Sequence, residues 1–192
     1  MITKTKFLAV SGLMVALGWT LSGPITSRLH QHSPSSSAAW LFGARDLSEL
    51  VRYADVIAVA KHTVTYPGRV AVDDSGQDDL PFELNDFEIR LGMKGARASD
   101  HLLVERAGGI TADGDQVNID ADGGDFETAA TYLLFLKQQE DGSFHYQIND
   151  QARFQVVDGR LAGVEEHDPV SRTLNGKTLR EAIDLISAEL RD

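Results

Sequence analysis

The stretch "DFEIRLGMK", residues 86–94, decides the fold. Phe87, Ile89, Leu91 and Met93 alternate with Asp86, Glu88, Arg90, Gly92 and Lys94. A period of two marks a strand with one face buried, so the four apolar side chains are expected to point inward. Just upstream, Phe82 and Leu84 sit in the opposite phase. A bulge or bend near Asn85 would reconcile the two phases.

Upstream of that strand, Asp46 and Glu49 have the spacing of a capping box, which predicts a short helix from about Leu47 to Tyr53. "DVIAVAKHTV", residues 55–64, is rich in β-branched residues and apolar on both faces, as a buried strand would be. Residues 65–81, "TYPGRVAVDDSGQDDLP", read as a long acidic loop with a Pro-Gly turn. Downstream, "HLLVERAGG" (101–109) reads as a strand ending in a glycine pair, and "TYLLFLKQ" (131–138) as a central strand. "FHYQIN" (144–149) alternates again, with Phe144, Tyr146 and Ile148 on one face. In "ARFQVVDGRLAGV" (152–164) the Asp158-Gly159 pair suits a type I′ hairpin turn. A final helix is predicted from the T-x-x-E box of Thr178 and Glu181 and from the apolar stripe Leu179, Ala182, Ile183, Ile186 and Leu190. The fold class expected is mainly β: a small antiparallel OB-like barrel or sandwich with a short N-terminal helix and a C-terminal helix.

The runs "YADVIAVAKHTV", "FEIRLGMKG", "LLVERAGG", an acidic loop and "TYLLFL" together resemble the core of netrin-module-like domains, over roughly residues 47–164. That family includes the tissue inhibitors of metalloproteinases, and bacterial surface proteins share the run. The resemblance implies an OB-type five-stranded barrel with flanking helices. Animal members carry disulfides, and the inhibitors chelate a protease zinc through an N-terminal cysteine. This chain has no cysteine, so that mechanism does not carry over.

Charge is unevenly spread. Residues 1–39 hold Lys4, Lys6 and Arg28 and no acid, so residues 40–192 carry 15 basic and 29 acidic side chains, a net of −14. Such a surface repels phosphate backbones, which argues against nucleic-acid binding and leaves cations, basic proteins and neutral glycans. Without cysteine there are no disulfides, thiolate zinc sites, cysteine nucleophile or lipid-modified N-terminal Cys.

Residues 7–27 form an uncharged run behind two lysines. As a helix it would span about 31 Å, the thickness of a bilayer's hydrocarbon core. A signal-anchor and a cleaved signal peptide both fit residues 1–27; the scarcity of small residues at −3 and −1 after the run favours the anchor. The serine-rich residues 28–39 read as a tether, and residues 40–192 as the exported domain. The expected place is the cell membrane, single-pass with the domain outside the cytoplasm, or else secreted.

Candidate chemistry is sparse. "IDADGGDFE", residues 119–127, fails as an EF-hand from Asp120: Gly124, Asp125 and Thr131 stand where an oxygen ligand, a glycine and a glutamate are required. A looser cation site from Asp113, Asp115, Asp120, Asp122 and Asp125 is weighed against a plain acidic turn, and the turn is preferred. His30 and His32 form an H-x-H pair without further ligands. "NGKT" (175–178) lacks the first glycine of a phosphate loop, Ser171 standing in its place, and reads as a turn and helix cap. His62, His101, His145 and His167 read as strand or loop surface residues. No catalytic, cofactor or metal residue is singled out. The expected function is a membrane-tethered or secreted non-catalytic binding module for an extracytoplasmic protein or glycan, with no cofactor. The alternatives are an exported hydrolase using carboxylates, or a calcium-dependent adhesion or sensing domain.

Overall fold

The computed structural model describes residues 43–72, 79–111, 113–114, 116–117, 124–165 and 167–191. Helix α1, Leu47–Tyr53, opens it, and the Asp46 side chain accepts the Glu49 amide at 2.8 Å. The Glu49 carboxylate turns to Arg45 instead of closing a full capping box. Strands β1 (Val56–Val72), β2 (Asp79–Lys94) and β3 (His101–Ala107) follow, then the short pair β4 (Gly109–Ile110) and β5 (Gln116–Val117). Strands β6 (Thr131–Gln138), β7 (His145–Gln147), β8 (Arg153–Val157) and β9 (Arg160–Gly163) complete the β part. Helices α2 (Pro169–Leu174) and α3 (Leu179–Glu189) close it.

The pairings run in a ring: β1 with β2, β2 with β3, β3 with β7, β7 with β6, and β6 back to β1. The β3–β7 contact is parallel and rests on two residue pairs, Val104 with His145 and Glu105 with Tyr146. The sheet is therefore mixed, not purely antiparallel, and the ring stays partly open. It is a barrel-like sheet rather than a closed barrel. Helices laid against one side give it a second, sandwich-like layer.

Two cores explain the doubly apolar strands. Inside the coil lie Ala58, Ala60, Phe87, Ile89, Leu134 and Leu136. On the outer side Ile57, Val59, Leu133 and Phe135 meet Leu50 of α1 and Ile186 of α3. Strands β1 and β6 bury both faces, so "VIAVA" and "YLLFL" have no polar alternate residue. Among the described residues the helices cover only that part of the outer surface. Lys94 ties β2 to α1 by donating to the carbonyls of Val51 and Arg52, the orphan acceptors of the helix end.

The final hairpin turns as expected, with Asp158 and Gly159 at φ of 50° and 76°. The Thr178–Glu181 capping box forms, and Ala182 and Ile186 are the buried members of the stripe. Three expectations need correction. Residues 65–72 and 79–81 are strand, not loop. Pro67 is tolerated because β1 past His62 pairs, among the described residues, with β2 alone. The bulge sought near Asn85 lies on the partner strand: Thr63 is the extra residue between the pairs His62–Phe87 and Val64–Asp86. A second bulge at Arg90, between Val59–Leu91 and Ala60–Ile89, flips the register. Phe87 and Ile89 point into the coil, but Leu91 turns outward and is 39% exposed, while Met93 packs against the helix-side core. Helix α2, capped by Asp168 through the amides of Val170 and Ser171, is an element the sequence reading does not include.

The apolar run 7–27, the tether 28–39 and the pair His30–His32 lie outside the described residues. Among the described residues no helix is long and apolar enough to cross a membrane.

Candidate binding face of the barrel-like sheet

Paired residues on neighbouring strands share a face, so register builds the site. Tyr66 of β1 pairs with Leu84 of β2, Leu84 with Glu105 of β3, and Glu105 with Tyr146 of β7. This row crosses four strands on the outer side, where, among the described residues, no helix covers it. At the usual strand spacing the tyrosines stand about 14 Å apart along the surface. Tyr66 is 48% exposed and Tyr146 38%. The next row runs Val64, Asp86, Leu103, with Val64 and Leu103 both exposed. Phe82 and Leu84 are thus not displaced by a bulge. They hold the outer phase throughout and form an apolar surface there. The phase conflict upstream of residue 86 was the sequence signal for this face.

Charges on the face are matched. The Arg69 guanidinium donates twice to Glu105, at 2.9 Å each, and lies 4.0 Å from the Phe82 ring centre. The Glu105 hydrogen bonds push the Arg69 pKa up, fixing its charge more firmly. Asp86 accepts from Thr63 at 3.0 Å and contacts His101 Nδ1 at 2.9 Å. Glu88 pairs with Arg90 at 2.7 Å. A domain with a net charge of −14 therefore carries here a locally neutral, half-apolar patch.

Beside Tyr66 a groove of about 200 Å³ opens between Pro67, Gly68, Phe82, Glu83 and Ile110. Gly68 lets β1 lie close against β2 there, since a Cβ would stand 2.6 Å from the Phe82 carbonyl oxygen. Among the described residues Ile110, at 64%, is the most exposed large apolar side chain.

Behind the face, inside the coil, lies a polar chain. Thr65 Oγ1 donates to Asn85 Oδ1 at 2.8 Å and stands 3.2 Å from His62 Nε2. The threonine has one proton and gives it to Asn85, so its oxygen accepts at the contact with His62 Nε2. His62 is only 1% exposed and lies against Phe87, with ring centres 5.2 Å apart. The reading of His62 as a surface residue is therefore corrected: His62 keeps the phase of Ala58 and Ala60 and pairs with Phe87, so its side chain turns inward. His145 is also half-buried, whereas His101 and His167 are exposed.

Burial holds the His145 pKa below the usual imidazole value. Above the unfolded value both states are neutral. As pH falls through that value, the unfolded chain takes up a proton that the folded chain resists, so stability declines. His145→Gln is expected to flatten the melting temperature between pH 8 and pH 5; an unchanged slope would assign the acid loss elsewhere.

The end of the acidic loop is a staple. Phe126 is buried in the inner core, edge-on to Phe87 and Tyr132. Arg153 lies 3.9 Å from the Phe126 ring centre and donates to the carbonyls of Gly124 and Asp125. Asp125 accepts from the buried Arg106 at 2.7 Å. Of the carboxylates once weighed as a cation site, Asp115, Asp120 and Asp122 lie outside the described residues. Among the described residues no group of three or more histidines and carboxylates is placed to hold a metal. No family model, curated protein or solved structure matches the chain.

Proposed function

We propose that residues 40–192 form a non-catalytic binding module which grips an extracytoplasmic protein or glycan through the row Tyr66, Leu84, Glu105, Tyr146. The observation that carries this reading is the uncovered apolar row itself, set in a charge-balanced patch of an otherwise strongly acidic domain. Exposed aromatic residues on a rigid sheet supply contact area at low cost in conformational entropy. OB-type barrels bind oligonucleotides and oligosaccharides across the face of their second and third strands, and Leu84 and Glu105 sit on those two strands here, flanked by the tyrosines on β1 and β7. The netrin-module resemblance belongs to the same proposal, for its barrel and not for its zinc chemistry. Residues 7–27 hold the module at a membrane in this reading. A mature N-terminus between residues 22 and 40, found by sequencing protein from native membranes, would replace the anchor with a cleaved signal.

The test is capture of partner from the protein's own envelope by the full chain, wild type against Tyr66→Ala with Tyr146→Ala. Central aromatic anchors are worth about 2 kcal/mol or more each in an interface, so capture is expected to drop by at least tenfold. Exposed tyrosines contribute little to folding, so the melting temperature should hold. Equal capture by both proteins would remove this face from consideration.

A further inference from the structure

We infer that the occupant of this face is an extended protein segment that seats one apolar side chain in the groove beside Ile110 and carries lysine or arginine on either side of it. The inference names the partner class of the proposed binding face and rests on that reading.

Size comes first. Pockets that enclose small molecules run to roughly 300–1,000 Å³. This groove is about 200 Å³, below that range. A space of this size, at the side of an open apolar face, suits a single anchor residue of a larger partner. Lining chemistry agrees. Apart from Tyr66, Tyr146 and the half-buried Phe82, the exposed apolar residues on and around this face are aliphatic: Val64, Val70, Leu80, Leu103 and Ile110. Aliphatic surface favours an apolar side chain without directional demands, whereas a sugar needs polar partners. Here the carboxylates of Asp86, Glu88 and Glu105 already have partners.

The strand edge decides the mode. Past His62 the backbone of β1 is paired, among the described residues, with β2 only, and its other edge invites an added strand. Two bulges interrupt that edge, at Thr63 and between Pro67 and Val70, and Pro67 has no amide proton to offer. These devices block regular strand addition. The partner therefore lies on the face and in the groove rather than extending the sheet.

Charge supplies the flanks. A domain with 29 acidic and 15 basic side chains in residues 40–192 attracts cationic chains from a distance. The face itself is balanced, so it neither repels the anchor nor selects its charge. Steering by the whole domain and seating by the groove together describe a basic segment with one apolar anchor.

The experiment selects a displayed library of random dodecapeptides on the full chain in mild detergent, and in parallel presents the chain to an array of neutral oligosaccharides. Enriched peptides should share one Leu, Ile, Met or Phe flanked by Lys or Arg. A synthetic copy should lose at least tenfold in affinity on Ile110→Asp, and again on Tyr66→Ser, with melting temperatures unchanged. Raising salt from 50 to 500 mM should weaken it severalfold, because a shorter screening length removes the steering. Peptides without basic residues, or binding indifferent to both variants, would overturn the inference. Oligosaccharide binding lost in Tyr66→Ala with Tyr146→Ala would overturn it too, while leaving the face as the binding site. Binding of neither probe overturns the inference alone if tyrosine-dependent envelope capture persists, and both readings if it does not.

Discussion

Ile89→Asp is expected to leave no cooperatively folded domain at 25 °C. Ile89 is 1% exposed inside the coil, beside Phe87 and the apolar residues of β1 and β6. A carboxylate there loses its water and gains no partner, a cost of several kcal/mol. Domains of this size have about 5–15 kcal/mol of stability, and the lost packing of the isoleucine adds about 2–5 kcal/mol more. The neighbouring Glu88→Ala provides the control. Glu88 faces outward and pairs with Arg90 at the surface, an interaction worth about 0–1 kcal/mol. Thermal melting by circular dichroism should show a normal transition for Glu88→Ala and none for Ile89→Asp. Equal melting temperatures would mean that the β2 register is wrong.

Phe126→Ala should cost about 3–5 kcal/mol, the usual loss for a buried aromatic ring. The ring closes a cluster with Phe87 and Tyr132 and carries the Arg153 guanidinium on its face. Its removal therefore loosens the guanidinium that holds the carbonyls of Gly124 and Asp125. The expected loss is the same in chelator, in millimolar calcium and in millimolar magnesium, because apolar packing and Arg153 hold this end of the loop. A specific calcium site would instead add about 2.7 kcal/mol at a hundredfold excess over Kd. Restoration of the Phe126→Ala melting temperature by calcium alone would transfer the hold to the carboxylates and revive a cation-dependent role.

The elements that sequence made legible are those fixed by short-range chemistry. Asp46 sets the start of α1, Asp158-Gly159 can form the one turn that needs two positive φ angles, and Thr178 with Glu181 caps α3. "TYLLFLKQ" is a strand over its full length because both faces meet a core. The failures come from tertiary register. Pro67-Gly68 signals a turn locally, yet β2 holds the segment extended and the unpaired edge spares Pro67 any ladder bond. Extra residues at Arg90 and at Met93 itself turn Leu91 outward and Met93 to the helix-side core, and no local pattern announces them. The candidate face was least legible of all. Its four members, Tyr66, Leu84, Glu105 and Tyr146, are scattered over 80 residues and become neighbours only through three separate strand pairings. Phe82 and Leu84, apolar in the wrong phase, were its visible trace.

The ring of pairings also sets the order in which the molecule can assemble. β1 and β2 adjoin in sequence and can pair early, as can β8 and β9 across their two-residue turn. Closure cannot. Ala60 must find Tyr132, and Val104 must find His145, joining segments separated by much of the domain. Long-range pairings of this kind make for slow folding, since the entropy of closing the intervening chain is lost before the contacts form. Until β6 arrives, "VIAVA" exposes both of its apolar faces, and Ile57, Val59 and Ala60 have nothing to cover them. The nascent first hairpin is thus the most aggregation-prone stage in the life of this chain, and the two bulges and Pro67 on β1 guard only the distal half of its open edge at that stage.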